Sequence, residues 1–318
     1  MIKPLRHLLL KGLSILLASA TVAAIIFINY QPDPLHYYRG SLLKVSLLET
    51  IPSPRIIVVG GSNVAWGIDS ELLEKNLGMP VINNGVDAHL GITPVVELKE
   101  YIRPGDIIII SLEYYNFTSD ADFYGVPQNL ADWVEISPPR IQYLQDPLRK
   151  VPTIFLMMLQ RKINRQLNLY LYGSDLDEVR GIYSASNFNA HGDFIGHLED
   201  KVQSQVGEDF RGYSVNQLDT AYIFLEQFNL FALSKGAVIY YEAQPNRQTN
   251  CELTGMKYLR KFYNTLKNRT TIPLLTNLKE LCLPDDYFYD TPYHLNEKGR
   301  RIRTERLIDN LKLALGEP

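Results

Sequence analysis

A serine behind two glycines, and an aspartate and a histidine four residues apart near the far end of the chain, are the residues best suited to covalent chemistry. Gly60-Gly61-Ser62-Asn63 closes a β-branched run, and its glycines permit a tight turn that aims backbone N–H groups at the serine oxygen. Position 64 is valine, so this is not the G-x-S-x-G elbow. A serine hydroxyl is a weak nucleophile until an imidazole takes its proton. Asp290-Thr291-Pro292-Tyr293-His294 offers that imidazole, with a carboxylate to fix its tautomer and stabilise its cation. Asn83-Asn84-Gly85 offers a glycine N–H to a developing oxyanion. Taken singly, each stretch has a plain reading: a strand-to-helix turn, an Asn-Gly turn, a histidine at a helix start.

These residues need elements to position them, and the chain supplies an alternating pattern. RIIVVG (55–60) and DIIIIS (106–111) read as buried parallel strands, with a shorter strand at 81–83. Helices are expected at 70–77, behind Asp69 or Ser70 as N-cap, and at 94–101. From about 115 to 216 the pattern breaks into an insertion rich in aromatic, Asn and Asp residues, with a helix near 153–169. It resumes with helices at 217–233 and 253–266, strands at 237–242 and 273–275, and a final helix at 297–315 capped by Asn296. Strands alternating with helices predict an α/β fold, a mostly parallel sheet covered on both faces as a three-layer sandwich. In such sheets ligands sit beyond the carboxyl ends of the strands, where Ser62 and Gly85 fall.

The N-terminus is different material. Lys3, Arg6, His7 and Lys11 precede a run from Gly12 to Ile28 with no charge, close to the ~20 apolar residues that cross a bilayer. Residues 1–11 are expected on the cytoplasmic side, 12–30 as a single-pass membrane anchor, 31–54 as a polar connector and 55–318 as an extracytoplasmic domain. A cleaved signal would have a shorter apolar core, although Ala18-Ser19-Ala20 imitates a cleavage site. The 318 residues carry a net charge of −3, which gives no footprint for nucleic acid. The two cysteines, Cys251 and Cys282, are either a disulfide of an oxidising compartment or two core thiols; their spacing matches no zinc or redox motif.

The order Gly-x-Ser-Asn near the domain start, an Asn-Gly turn, then Asp and His before the last helix resembles the SGNH (GDSL-like) hydrolase superfamily, over most of 55–315 outside the insertion. It looks most like the membrane-anchored bacterial branch that edits acyl groups on envelope glycans. The resemblance implies Ser62 as nucleophile, His294 as base, Asp290 as its orienter and the N–H groups of Ser62 and Gly85 in an oxyanion hole. It implies no cofactor. Two departures stand out. The superfamily spaces Asp and His by three, so Asp285 or Asp286 is an alternative partner. Its Gly-x-Asn-Asp block after the third strand is replaced by Ser111-Leu112-Glu113-Tyr114-Tyr115-Asn116, so Asn116 substitutes for the missing oxyanion donor or Glu113 takes the place.

The activity so implied is a serine-dependent acyl ester hydrolase or O-acyltransferase, acetyl being the expected group, acting on an envelope polysaccharide beside that pathway's machinery. A non-catalytic SGNH-fold binding or assembly subunit is the alternative, motivated by the altered third block, and a phospholipid or thioester hydrolase is a third. His191, Asp193 and His197 have the residue types of a metal site, but no helical face supports one. Tyrosines and phenylalanines across 114–124 and 287–293 flank the expected site as wall packing or sugar platforms.

Overall fold

A computed structural model describes residues 2–29, 33–173, 181–199, 219–252 and 256–316. The β-branched runs form β1 (Ile56–Gly60), β2 (Val81–Gly85), β3 (Ile107–Ser111) and β4 (Val238–Tyr241), an all-parallel sheet in the order β2-β1-β3-β4. The strand expected at 273–275 is one parallel bridge, Leu274 to Tyr241. Pro273 has no N–H to extend the ladder. A short parallel pair, β5 (Asn246–Arg247) with β6 (Cys282–Leu283), lies apart from the sheet.

The helices in the first half are α1 (Ile2–Asn29), α2 (Gly40–Thr50), α3 (Ser62–Gly67), α4 (Ser70–Leu77), α5 (Thr93–Leu98), α6 (Asp120–Tyr124) and α7 (Pro127–Ile136). Those in the second are α8 (Pro147–Tyr172), α9 (Asp219–Ser234), α10 (Gln248–Asn250), α11 (Met256–Arg269) and α12 (Glu297–Leu315). Alternate strand residues divide between the two faces. Ile57, Val59, Ile108 and Ile110 pack with apolar residues of α2, α5, α9 and α11. Ile56, Val58, Ile107 and Ile109 pack with Val64 of α3, Leu73 of α4, and Leu307 and Leu311 of α12. The sheet is thus covered on both sides, as parallel sheets require.

Among the described residues no helix is long and apolar enough to cross a membrane. The run expected as an anchor lies in α1, where the side chains of Ala23 and 25–29 fall outside the described residues. Residues 31–54, expected as a connector, hold α2. Its apolar pattern is masked by Lys44, which is wholly buried and donates to the carbonyls of Asn83 and Gly192. Burial pushes that ammonium down to about 7.

The insertion builds α6, α7 and a longer helix than expected in α8, while 200–216 lie outside the described residues. The starts expected at 217 and 253 also lie there. Cys251 and Cys282 form a disulfide across 31 residues, tying the end of α10 to β6. Replacing both by serine is expected to cost roughly 3–4 kcal/mol through the loop entropy it returns to the unfolded chain, read as a lower denaturant midpoint. An unchanged midpoint would mean the bond contributes nothing.

Candidate active site

The sheet order places β1 between β2 and β3, so the chain reverses direction of travel at the carboxyl ends of β1 and β3. Such a switch point opens a crevice. There a cleft of about 610 Å³ is lined by Ser62, Trp66, Ala88, His89, Asp290 and His294 among others. Ser62 is the first residue of α3, so its N–H lies in the turn where no helical carbonyl precedes it. Gly61 must lack a side chain: a Cβ there would run into the Glu113 carboxylate and the Cα of Ala88. Ser62 Oγ is half-buried and carries no hydrogen bond among the described residues.

Ser62 and Trp66 are one turn apart on the same face of α3. The buried Trp66 indole stacks on the His294 imidazole, with centroids 4.0 Å apart and planes 9° from parallel. Its own plane is held by Trp66 Nε1 donating to Tyr37 Oη at 3.2 Å, and Tyr37 donates to the Val86 carbonyl at 2.9 Å. Helix α3 thus carries both the candidate nucleophile and the ring on which the candidate base rests.

His294 Nδ1 lies 2.7 Å from Asp290 Oδ1, which leaves Nε2 without a partner among the described residues. The four-residue spacing is absorbed by Thr291, whose hydroxyl accepts the N–H groups of Tyr293 (3.2 Å) and His294 (3.0 Å). Asp285 holds Arg247 and Thr249, and it is Asp290, rather than Asp285 or Asp286, whose carboxylate lies on His294 Nδ1. Tyr183, from the insertion, donates to Asp290 Oδ2. Burial would raise the Asp290 carboxyl, but His294's hydrogen bond and charge, with Tyr183's hydroxyl, hold it below its ordinary value. A carboxylate so held stays ionised and can steady an imidazolium.

Two expected oxyanion donors are not brought to the cleft wall. The Gly85 N–H donates to Asn83 Oδ1 at 3.0 Å, inside a strand that pairs Gly85 with Gly60. Asn116 Nδ2 donates to the carbonyls of Ala88 (2.9 Å) and Asp122 (3.1 Å). Glu113 takes the place beneath the Gly61-Ser62 turn, its Oε1 accepting the Asn63 N–H at 3.0 Å and its Oε2 buried without a partner among the described residues. Among the described residues that line the cleft, Ser62 and Ala88 have backbone N–H groups without a partner; the latter opens a 3-10 turn and so follows no turn carbonyl.

Burial pushes Glu113 up to about 7, against the pull of the Asn63 hydrogen bonds. Because the folded protein then holds this proton more tightly than the unfolded chain, Glu113's own contribution to stability is greatest in acid. It falls by on the order of 3 kcal/mol as pH rises from the ordinary glutamate value to about 7. Glu113→Gln, which cannot ionise, should flatten that slope between pH 4.5 and 7 in denaturant titrations. A variant that keeps the full slope would place the titration elsewhere.

Arg303 of α12 was not distinguishable from a surface arginine in the sequence, yet it ties this region together. Its guanidinium grips Glu242 through two hydrogen bonds of 2.8 and 2.6 Å and donates to the Asn63 carbonyl, Asn63 Oδ1 and Ser111 Oγ. The residues weighed as metal ligands are engaged separately. Asp193 is wholly buried, accepting from Ser70, Asn83, Asn189 and Arg300. His197 bonds the Leu295 carbonyl, burial pushing its imidazole down to about 4, while His191 approaches Glu74. Among the described residues no group of three side chains is placed to hold a metal ion.

Compared with known proteins, the chain matches no family model and no curated protein sequence.

Proposed function

We propose that the chain is a serine-dependent acyl ester hydrolase or O-acyltransferase of the SGNH type. The observation that carries this reading is one cleft lined by Ser62 and by His294, the imidazole being stacked on the nucleophile's own helix and paired with Asp290 at 2.7 Å. The strand order β2-β1-β3-β4 with a further parallel bridge supports the flavodoxin-like sheet that such enzymes use.

Ser62 Oγ attacks the acyl carbonyl while His294 Nε2 takes its proton, and Asp290 stabilises the resulting cation. The tetrahedral oxyanion receives the N–H groups of Ser62 and Ala88. Glu113 is compatible with this while it carries its proton; ionised, it opposes the developing negative charge. Water or a sugar hydroxyl then accepts the acyl group. The aromatic wall of Tyr37, Tyr115, Tyr183 and Tyr293 suits the flat apolar faces of pyranose rings, which supports an acetylated envelope polysaccharide as substrate.

Membrane attachment belongs to the same proposal. The uncharged run 12–28 behind Lys3, Arg6 and Lys11 supports an anchor with the cleft outside the cytoplasm, and the Cys251–Cys282 disulfide supports an oxidising compartment. Release of the full chain from membranes by alkaline carbonate would refute it.

The activity test is turnover of acetylated glycan and of p-nitrophenyl acetate by the wild type, Ser62→Ala and His294→Ala. Retained activity in both variants would end the mechanism. A non-catalytic binding subunit of the same fold is the second reading, favoured by one observation: a carboxylate, Glu113, under the nucleophile turn.

A further inference from the structure

The cleft holds a second aspartate–histidine pair. Asp87 caps the 3-10 turn Ala88–Leu90, accepting the His89 N–H at 2.8 Å, and its Oδ1 also lies 2.9 Å from His89 Nδ1. Its Oδ2 accepts the Tyr38 hydroxyl at 2.6 Å, and that oxygen in turn accepts Asn129 Nδ2 at 2.7 Å. The carboxylate is therefore fixed on both oxygens, as Asp290 is fixed by His294 and Tyr183. His89 differs from a packed histidine in exposure: 56% of its side chain is open to solvent, and Nε2 has no partner among the described residues. It is also close to the chemistry. The Cα of Ala88, the residue before His89, abuts Gly61, the residue before Ser62. The Tyr115 ring, 5.5 Å away, walls its other side.

We propose that Asp87–His89 is a second acid–base pair that serves the alcohol side of the ester, while Asp290–His294 serves Ser62. This rests on the reading of Ser62 as nucleophile. In acylation His294 Nε2 takes the Ser62 proton as the Oγ–C bond forms. The bond from the carbonyl carbon to the sugar oxygen breaks, and His89 in its cationic form gives that oxygen its proton. The acyl-enzyme then holds His294 cationic and His89 neutral. In transfer an acceptor hydroxyl loses its proton to His89 as it bonds to the carbonyl carbon. Ser62 Oγ leaves with the proton held by His294, and both imidazoles return to their starting states. Protons and charge balance with no other reactant.

The surroundings favour a cationic His89. The Asp87 hydrogen bond raises its pKa, burial opposes the rise, and the charges of Asp87 and Asp122 add to it. The substrate class follows: esters of poorly departing sugar alkoxides need this acid, and activated aryl esters need it far less.

The test compares purified full-length wild type, His89→Gln and Asp87→Asn on p-nitrophenyl acetate and on an acetylated methyl glycoside. His89→Gln is expected to lose at least about a hundredfold in kcat/KM on the glycoside and under tenfold on the aryl ester. Asp87→Asn should lose in the same ester-dependent sense, by less. Ionisation of Glu113 should lower turnover of both esters as pH rises, and the further alkaline fall confined to the glycoside should vanish in His89→Gln. Equal losses on both esters, or none on the glycoside, would overturn the proposal and leave Ser62 in place. A wild type that forms no acyl-enzyme on Ser62 with either ester would instead overturn the reading beneath it, and the proposal with it.

Discussion

Ser62→Ala and His294→Ala are each expected to lower kcat/KM for ester substrates on the order of ten-thousandfold to a millionfold, as for triad members that act as a unit. That corresponds to about 5–8 kcal/mol of transition-state stabilisation. The double variant should be no worse than the single ones, because an imidazole without its nucleophile, or the reverse, does nothing. Ser62 Oγ makes no hydrogen bond among the described residues, so its removal leaves the fold intact and the loss reads as chemistry. Asp290→Asn should cost less, roughly a hundredfold to ten-thousandfold, since the ring stays stacked on Trp66 while its tautomer is no longer fixed. Additive losses in the double variant would mean that the two residues work apart.

Arg303→Ala should be the most damaging single change away from the cleft. Arg303 is 3% exposed and Glu242 is 5% exposed, and the two make a bidentate pair. Removing one partner strands a buried charge, which costs about 3–5 kcal/mol. In a chain of this length that lowers the melting temperature by roughly 10 °C. The effect should reach catalysis as well, because the Asn63 carbonyl and side chain lose their donors and Asn63 follows Ser62 directly. Arg303→Lys keeps the charge but not the fork, so it should recover part of the stability and less of the activity. A melting temperature unchanged in Arg303→Ala would show that the network is not holding α12 to the sheet.

The strands were legible because their signal is local. Four isoleucines in a row at 107–110 read as a strand buried on both faces, and RIIVVG ends in the first of the two glycines that the turn needs. Asn296 and Asp69 cap their helices through local hydrogen bonds that the sequence advertises. Helix α2 was hidden because Lys44, a charge in any sequence pattern, is buried there against two carbonyls supplied by distant loops. The sequence could not say how a four-residue spacing lets Asp290 reach His294, and the Thr291 hydroxyl shows how the loop closes.

The site was legible as residue types and not as a surface. Ser62, Asp290 and His294 stand out as residue types suited to acyl transfer, and the spacing of Ser62 and Trp66 would have shown that they share a helical face. Tyr183, Asp193 and Arg303 could not be placed, because most of their partners lie 61 to 240 residues away in the chain. The surroundings of the expected oxyanion donors were out of reach for a related reason. A glycine N–H looks free in a sequence, and only the fold reveals that Asn83 has taken the one on Gly85.

The central claim is that the Ser62 hydroxyl is activated within the folded chain. The direct measurement is reaction of the native protein with a fluorophosphonate, followed by mass mapping of the modified peptide. One label per chain on Ser62, lost when the protein is unfolded and sharply slowed in His294→Ala, is the predicted result. Folded protein that stays unlabelled, or that carries its label on another residue, would contradict it.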